Sequence, residues 1–324
     1  MSTIRDVANL AGVGLGTVSR AINGTGYVAP DTKNKVMKAA EELNYTPNEL
    51  ARQLLKKKNH IVGIMIPDLA HPFFSKILRC LDMELGRNGY NCFVCDTGNE
   101  KNRQQKYLDM LDRNIMDGII TCSGPPEDYV SRKNRAIVSM DRFWSEDTPN
   151  VFSDQMQTAE LAANAFLHSG CRRIVQFRGI ATTNESSIRH NEQLEKILYA
   201  NGCEVENIRT QWNSLSYAVN KGIVMQNFDL IRDADGLFAN DIGAMSCLIV
   251  AQMNGIHVPE QLKIIAYDGT EITGLTFPQL AVIEQDCEKI AQTCVSLVLD
   301  MIDGKEPDCM EITIPVIWKK GGTV

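Results

Sequence analysis

The sequence predicts an α/β protein with an N-terminal three-helix helix-turn-helix head and a larger module of two doubly wound lobes. Two observations support this prediction. Apolar residues recur at three- and four-residue spacing over residues 3–43, which is typical of short amphipathic helices. From residue 61 onward, short apolar runs alternate with helical patterns, which indicates parallel sheets with helical crossovers. The predicted boundaries are 1–47 for the head, 48–58 for a hinge helix and linker, and 59–324 for the two-lobed module.

The head contains the signals of a helix start and a tight turn. Thr3 can cap the first helix, and Asp6 at its third helical position completes a capping box and places negative charge at the positive end of the helix. A tight turn is expected at Gly12-Val13-Gly14, with the next helix beginning near Leu15. Two helices joined by so short a turn form a helix-turn-helix, whose second helix enters the major groove of DNA. A dinucleotide-binding loop is not favoured, because no strand precedes these glycines and the G-x-G-x-x-G spacing is absent.

The charge of the chain is distributed unevenly. The formal net charge is −7 over 324 residues, but residues 1–58 contain nine Lys or Arg and five Asp or Glu. This segment therefore carries a net charge of +4, and the remainder carries −11. A basic head on an acidic body favours contact between the head and phosphate groups while the body stays off the polyanion. The distribution indicates a head that binds nucleic acid.

Several classes of protein are excluded by what the sequence lacks. No stretch of about 18 uncharged apolar residues is present, as a membrane span requires, and residues 1–6 lack the basic start and apolar core of a secretion signal. We therefore expect a protein of the bacterial cytoplasm, associated with the nucleoid. The sequence has no G-x-S-x-G, P-loop or H-E-x-x-H motif, and its five histidines show no metal-ligand spacing. We expect neither an enzyme nor a cofactor or metal site.

The ten cysteines lie scattered in apolar segments, without the spacing of a disulfide framework. We expect reduced and mostly buried thiols. Cys92 and Cys95 form a C-x-x-C, but in a predicted strand residues i and i+3 face opposite sides. A redox or zinc site is not favoured there, because no second pair or nearby histidine completes it.

The segment between the head and the lobes allows two interpretations. Asn48 can cap the run 49–55 of good helix formers, and three lysines follow at 56–58. So short a helix is marginal in water. On composition alone, a solvated linker is favoured. The alternative is a hinge that folds only on DNA, with its lysines on phosphates and a leucine inserted into the minor groove.

Seven apolar runs indicate the strands of the lobes. They lie at residues 61–66, 92–95, 118–121, 137–140, 174–177, 236–239 and 264–267. A long helical stretch at 156–168 separates the first four runs from the last three, and the strand pattern restarts after Ser169-Gly170. Two lobes of parallel sheet are therefore expected, with a ligand cleft between them at the carboxyl ends of the strands.

A set of motifs then resembles a known family along the whole chain. In the head and hinge the motifs are TIRDVA at 3–8, AGV at 11–13, TVSR at 17–20, IN at 22–23, YTPN at 45–48 and ARQL at 51–54. In the lobes they are HPFF at 71–74, DGII at 117–120, DR at 141–142, FAND at 238–241 and YDG at 267–269. Their order is that of the LacI/GalR repressors. The segments 267–270 and 83–85 are most similar to the sucrose-type repressors.

The resemblance implies a DNA-binding surface on the second helix and in the hinge. The residues implied are Thr3, Leu15, Gly16, Thr17, Ser19, Arg20, Asn23, Asn48, Ala51, Arg52, Leu54 and Leu55. Leu54 would be a lever in the minor groove at the centre of a palindromic operator, paired with its counterpart from a second subunit. This arrangement requires a homodimer, because each head reads a half-site. The resemblance therefore turns the interpretation of the hinge from linker to functional segment.

Two positions of the head depart from the family. Members of the family carry Ser at the position of Gly14 and a residue with a side chain at Gly16. Glycine reads no bases, and Leu15 can contact only an apolar group such as a thymine methyl. We therefore expect an operator that differs from those of relatives. A helical glycine also costs about 1 kcal/mol relative to alanine, which softens the free head.

The resemblance further implies an effector site in the cleft. Its residues would be Phe73, Phe74, Asp141, Arg142, Arg189, Asn240, Asp241 and Asp268, and Trp212 and Tyr217 are further candidate walls. Carboxylates and arginine bind hydroxyl groups, and an aromatic face covers the apolar side of a sugar ring. Two alternatives stay open. Phe73 and Phe74 can be core residues, and Asp241 and Asp268 can cap the helices that follow their strands.

The function implied is repression of sugar-utilisation genes, with release from the operator by a small sugar such as sucrose. Operator and sugar would prefer different lobe arrangements. The alternative is a corepressor-dependent regulator or an activator of the same family that responds to a phosphosugar or a nucleoside. A sugar-transport protein would share the periplasmic-binding-protein-like module, but it would need a secretion signal and no basic head. The resemblance does not fix the direction of the Arg189 side chain, because Glu192 stands where the family has a small residue.

Overall fold

Contacts along the chain divide it into two units, Met1–Asn59 and His60–Val324. The computed structural model describes residues 2–24, 26–45, 58–98, 100–126, 128–131, 135–179, 189–210 and 216–324. None of the helices in these ranges has the length and apolarity that a membrane span needs.

The described part of the first unit consists of helices α1 (Ile4–Ala11), α2 (Leu15–Asn23) and α3 (Pro30–Glu42). The predicted capping box is confirmed, because Thr3 Oγ1 accepts a hydrogen bond from the Asp6 amide and the Asp6 carboxylate accepts one from the Thr3 amide at 2.7 Å. Gly12 ends α1 with a φ of 66°, a left-handed conformation that favours glycine. The three helices share a small core of Val7, Ala8, Val18, Ala21, Val36 and Ala39.

The first lobe of the second unit is built on a six-stranded parallel sheet. Its strands are β1 (Ile61–Ile66), β2 (Asn91–Asp96), β3 (Gly118–Thr121), β4 (Ala136–Met140), β5 (Asn150–Ser153) and β11 (Glu311–Ile314). Their order across the sheet is β11-β5-β4-β3-β1-β2. Helices α4 (Pro72–Arg87) and α5 (Lys101–Asp112) follow β1 and β2. The strands β3 and β4 are buried along their whole length, as is usual at the centre of a parallel sheet covered on both faces.

The second lobe also contains a six-stranded sheet, in the order β12-β10-β9-β8-β6-β7. Its strands are β6 (Arg173–Gly179), β7 (Glu204–Thr210), β8 (Gly236–Asn240), β9 (Lys263–Asp268), β10 (Ala281–Gln285) and β12 (Val316–Lys319). All neighbours are parallel except β12, which pairs antiparallel with β10. The remaining helices are α6 (Gln155–His168), α7 (Arg189–Ala200), α8 (Tyr217–Gln226), α9 (Phe228–Arg232), α10 (Asp241–Met253) and α11 (Cys287–Ile302).

Two helices pack against the sheet of one lobe, although the strand that precedes each of them belongs to the other lobe. Helix α6 follows β5, yet its Phe166 lies in the apolar core that contains Phe238 of the second sheet. Helix α11 follows β10, yet its Cys294 and Val298 lie in the core that contains Val138 of the first sheet. With the step from β11 to β12, the chain therefore crosses between the lobes three times.

Hydrogen bonds tie the three crossings to one another. The Asp154 amide donates to the Ile314 carbonyl at 2.8 Å, which links the first crossing to the third. The Ser153 hydroxyl donates to Gln285 Oε1 at 2.8 Å, which links the first to the second. A change in the angle between the lobes must therefore act on all three segments together.

The predicted fold class is confirmed, and the seven predicted strands are present with ends that differ by at most two residues. The strands β5, β7, β10, β11 and β12 were not predicted. At β7 the sequence EVENIRT mixes charged and apolar residues because this strand lies at the edge of its sheet. The second and third crossings, through α11 and from β11 to β12, were also not predicted. They depend on where α11 packs and not on any local pattern.

Candidate functional site

The predicted DNA-reading residues lie along one short helix, α2. Leu15 is 44% exposed, and Gly16, Arg20 and Asn23 are also exposed, while Val18 is buried in the core of the head. The remaining predicted positions on this helix, Thr17 and Ser19, are half-buried. Solvent can therefore reach the same surface that the sequence assigns to the major groove.

Side chains on α2 are held by contacts one helical turn apart. The Arg20 Nε donates to the Gly16 carbonyl at 3.1 Å, and the Asn23 side-chain amide donates to the Ser19 hydroxyl at 3.2 Å. Gly14 precedes the helix without a side-chain cap. A methyl group added at Gly16 would meet only the Arg20 guanidinium, at 3.8 Å, so packing does not require glycine there.

Not every predicted DNA-binding residue lies on α2. The Thr3 hydroxyl is engaged in the capping box, where it donates to Asp6 Oδ2 at 2.8 Å, and the residue is exposed. The predicted hinge contacts, Asn48, Ala51, Arg52, Leu54 and Leu55, lie outside the described residues.

A cavity of about 150 Å³ lies between the two lobes, at the carboxyl ends of the parallel strands of both sheets. Among the predicted effector residues, it is lined by Phe73, Phe74, Asp141, Arg142, Asn240 and Asp268. The two phenylalanines are 5% and 7% exposed, and their ring centroids are 5.5 Å apart in an edge-to-face arrangement. Both belong to the core of the first lobe as well, so the two interpretations of these aromatics are compatible.

Two carboxyl groups of the cavity occupy strained backbone positions. Asp141 follows β4 with a φ of 55°, and Asp268 ends β9 with a φ of 116°. Backbone strain of this kind persists only where the surroundings enforce it, and it is frequent at ligand sites. Burial raises the pKa of Asp141 to about 6, although the nearby Arg142 charge opposes the shift. Burial and the neighbouring Asp241 raise the pKa of Asp268 well above its usual value, while the Gln285 amide donates to it at 2.8 Å.

Asp241 does not line the cavity, in contrast to the sequence expectation. Its carboxylate accepts hydrogen bonds from the Gly269 amide at 3.2 Å and from both the amide and the hydroxyl of Thr270 at 2.6 Å. It therefore holds the turn after β9, which positions Asp268. It is also not the cap of α10, because Asn240 Oδ1 accepts from the Gly243 amide in that role.

Three further predicted effector residues are not placed in the cavity wall. Arg189 is exposed at the start of α7, and Tyr217 is 38% exposed at the start of α8. Trp212 lies outside the described residues, as do residues 180–188 and the rest of 211–215. Besides Asn240 and Asp268, the second-lobe wall that the structure describes includes side chains that the sequence did not single out.

These side chains were missed in the sequence. They include His190, Asn191, Asn220 and Gln285 in the second lobe, and His71 lines the cavity from the first lobe. Burial lowers the pKa of His190 to about 3 and that of His71 to about 4, so both imidazoles are neutral at physiological pH. Of the five, His71 lies within the HPFF motif at 71–74, and no motif marks the other four. The signal present was a polar pair, His190-Asn191, on the face of a helix that otherwise carries Leu194 and Leu198 inward.

Direct contacts also join the lobes beside the cavity. Lys76 on α4 donates from Nζ to the Gly269 carbonyl and to Glu284 Oε1, both at 2.7 Å and both in the second lobe. Lys319 forms a second ion pair with the same Glu284. The Lys76 contacts join the two lobes next to the residues that line the cavity, whereas the Lys319 pair lies within the second lobe.

Comparison with known proteins relates the chain to one family. The family described as "Bacterial regulatory proteins, lacI family" matches residues 3–48, and that described as "Periplasmic binding protein-like domain" matches residues 163–324. The "Ribose operon repressor" of Bacillus subtilis is 35% identical, covering 98% of this chain and 97% of the relative. The "Sucrose operon repressor" of Streptococcus mutans is 32% identical, covering 94% of each.

A solved structure agrees with the fold. The lac repressor bound to ONPG in the repressed state superposes with a TM-score of 0.84 over 100% of this chain and 99% of that chain, at 23% identity. Together with an identity of 35% to a repressor over almost the full length, this agreement covers both the helical head and the two-lobed module. The chain therefore belongs to the LacI family of bacterial regulatory proteins and is a DNA-binding transcriptional repressor, not an enzyme.

Proposed function

We propose that this repressor controls sugar-utilisation genes and leaves its operator when a small neutral sugar binds in the cavity between the lobes. The observation that carries the proposal is the composition of the cavity wall. It combines five phenylalanine and tyrosine rings with buried carboxyl, amide, guanidinium and neutral imidazole groups, the partners that a polyhydroxylated ring requires. Relatives named for ribose and sucrose operons support the same ligand class.

The size of the cavity favours a single sugar ring. A cavity of about 150 Å³ is comparable to an engineered one that holds benzene, a six-membered ring. Sucrose contains two rings and would need a wider separation of the lobes. A pentose such as D-ribose is therefore our first candidate, and sucrose, the expectation from the sequence, is the second.

The charge of the cavity does not favour a phosphosugar. The carboxyl groups of Asp141 and Asp268 line the wall, and burial already raises the pKa of both. A phosphate would add negative charge to a site where desolvation and like charge oppose it. Arg142 is the one cation among the lining residues that the structure describes, so full compensation of a dianion is not provided there.

The proposed mechanism is a linkage between two lobe arrangements. A homodimer with paired hinge segments would bind a palindromic operator, with Leu54 in the minor groove and α2 in the major groove. The sugar would prefer the other arrangement, since a ligand with equal affinity for both would shift nothing. Contacts across the lobes, such as Lys76 with Glu284, are those that a change of angle would break or form.

The proposal can be tested by thermal unfolding of the full chain with D-ribose, D-fructose, D-glucose, sucrose, ribose 5-phosphate and inosine. A ligand that binds only the folded state raises the unfolding midpoint. The sugar that does so should then release the protein from operator DNA. Tighter operator binding with the same sugar would instead identify a corepressor-dependent regulator, and a shift only with ribose 5-phosphate or inosine would contradict a neutral sugar.

The hinge assignment is tested separately with Leu54→Ala. Loss of an apolar wedge should weaken operator binding at least tenfold, by the few kcal/mol that unstacking contacts contribute, without a change in sugar affinity. Fluorescence anisotropy at one fixed salt concentration measures the first quantity, and calorimetry the second. Leu69→Ala, at a half-exposed leucine of the second unit, is the matched control. Unchanged operator affinity in the Leu54 variant would exclude the lever.

A further inference from the structure

The cavity contains a histidine that neither the family motifs nor the sequence pattern assigned to a role. We infer that His190 is a specificity-determining residue, whose Nε2 is held as a hydrogen-bond acceptor and receives a hydrogen bond from one hydroxyl group of the effector. This inference rests on the proposed function, because it requires a hydroxylated ligand in the same cavity.

The tautomer of His190 follows from its neighbour Gln155. The Gln155 side-chain Nε2 donates to the Ser153 carbonyl at 3.0 Å, which fixes the orientation of the amide because a carbonyl only accepts. The amide oxygen of Gln155 therefore faces His190, at 2.6 Å from Nδ1. Since an amide oxygen also only accepts, Nδ1 must carry the hydrogen. In a neutral imidazole the other nitrogen, Nε2, then presents a lone pair.

The ring is held in place by two aromatic neighbours. It lies 4.8 Å from the Tyr267 ring, tilted by 35°, and 5.7 Å from the Phe238 ring, edge to face. His190 is 7% exposed and lines the cavity. Because Nδ1 points to Gln155, the opposite edge of the ring is available to the cavity, and no described residue donates to Nε2. A donor on a ligand is the natural partner for this nitrogen.

An acceptor in this position discriminates among ligands. A ligand hydroxyl satisfies Nε2, whereas a deoxy analogue leaves the buried nitrogen unpaired, and such a loss is costly because water cannot replace the partner. A phosphate oxygen would place one acceptor against another. Burial lowers the pKa of His190 to about 3, so protonation does not convert the nitrogen to a donor at physiological pH. The site should therefore select a hydroxyl at one defined position of the sugar.

Calorimetry with D-ribose and its 2-, 3- and 5-deoxy forms tests this inference on the full chain. We expect one deoxy form to bind wild-type protein at least tenfold more weakly than D-ribose. In His190→Leu, D-ribose should bind at least tenfold more weakly than in wild type, and that deoxy form should bind as well as D-ribose. His168→Leu, at an exposed histidine of α6, is the matched control and should behave as wild type. If only sucrose binds, its monodeoxy derivatives take the place of the ribose series.

A second measurement uses wild-type protein and therefore does not depend on whether His190→Leu folds. In wild-type protein with 15N-labelled histidine, the Nε2 resonance of His190 should have the shift of an unprotonated nitrogen and should move when D-ribose, or sucrose if only sucrose binds, is added. A protonated Nε2, or a resonance that does not move, would overturn the inference. Equal discrimination by wild type and His190→Leu would also overturn it, with the proposed function intact. Failure of every sugar to bind wild type would overturn both.

Discussion

The candidate DNA-reading helix and the candidate effector cavity differ in how their residues are placed in the fold. The candidate contacts of the helix lie within nine consecutive residues, Leu15–Asn23, and several are exposed, so they require little from the rest of the fold. The cavity assembles side chains from His71 to Gln285, most of them buried. Exposed groups keep their hydration until DNA arrives, whereas buried polar groups must find partners in the protein. Changes in the cavity should therefore cost far more than changes in the head.

The largest expected effect is on ligand binding by Asp268→Ala. Removal of a buried carboxyl group that pairs with the Gln285 amide should lower sugar affinity by about 2 to 5 kcal/mol, that is, roughly 30-fold or more. Operator affinity without sugar should be unchanged. Calorimetry and operator anisotropy measure the two quantities. A retained sugar response would remove Asp268 from the site and would weaken the contrast between cavity and head.

Asp241→Ala should chiefly affect stability. The change leaves the Gly269 amide and the two donors of Thr270 buried without their acceptor, which should lower the free energy of unfolding by about 3 kcal/mol. Chemical denaturation of the second unit measures this loss. Asp241→Asn keeps one acceptor oxygen and is the control, with a smaller loss. Full stability with lost sugar binding would return Asp241 to the list of ligand contacts.

Asp141 should make stability depend on pH. Its pKa is raised by burial to about 6 from an ordinary value of 3.8, so the folded state holds the proton more tightly than the unfolded state. This stabilising contribution is fully present below pH 3.8 and is lost as pH rises through 6, a change of about 2 to 3 kcal/mol. Asp141→Asn should remove that part of the slope and be more stable at pH 7. Chemical denaturation from pH 4 to 7.5 measures the free energy of unfolding at each pH. The same dependence on pH in wild type and Asp141→Asn would contradict this prediction.

The smallest effect is expected in the head. Thr3→Ala removes the hydroxyl that caps α1 and should destabilise the first unit by about 1 kcal/mol, whereas Thr3→Ser should be close to neutral. Amide hydrogen exchange in α1 reports the local loss, and protection in the second unit should not change. A loss as large as that of Asp241→Ala would show that the head is less independent of partners than its exposed surface indicates.

Features that depend on near neighbours were predictable. The capping box of Thr3 and Asp6 and the turn at Gly12 involve residues a few positions apart. The strands β1 and β3 were located because central parallel strands are continuous apolar runs. The cavity residues Asp141, Asn240 and Asp268 were expected from the resemblance to the LacI/GalR repressors, and for Asp268 the carboxyl end of a strand, where α/β proteins bind ligands, favoured the same role.

Other features could not be predicted from neighbours in the sequence. Asp241 directly follows β8 and Asp268 ends β9, so their positions along the chain do not distinguish them. In the structure the Asp241 carboxylate accepts hydrogen bonds from the turn at Gly269 and Thr270, whereas Asp268 lines the cavity. His190 acquires its tautomer from Gln155, which lies on another helix.

The sequence by itself determined the class of fold and the basic helix-turn-helix head, because periodicity, capping and charge act over short distances along the chain, and its motifs carried the resemblance to the family. Only the tertiary structure decided the three crossings between lobes, the pairing of Lys76 with Glu284 and the roles of the buried polar groups. The physical reason is that a buried hydrogen-bonding group takes the partner that the fold brings to it, and residues distant in sequence supply that partner.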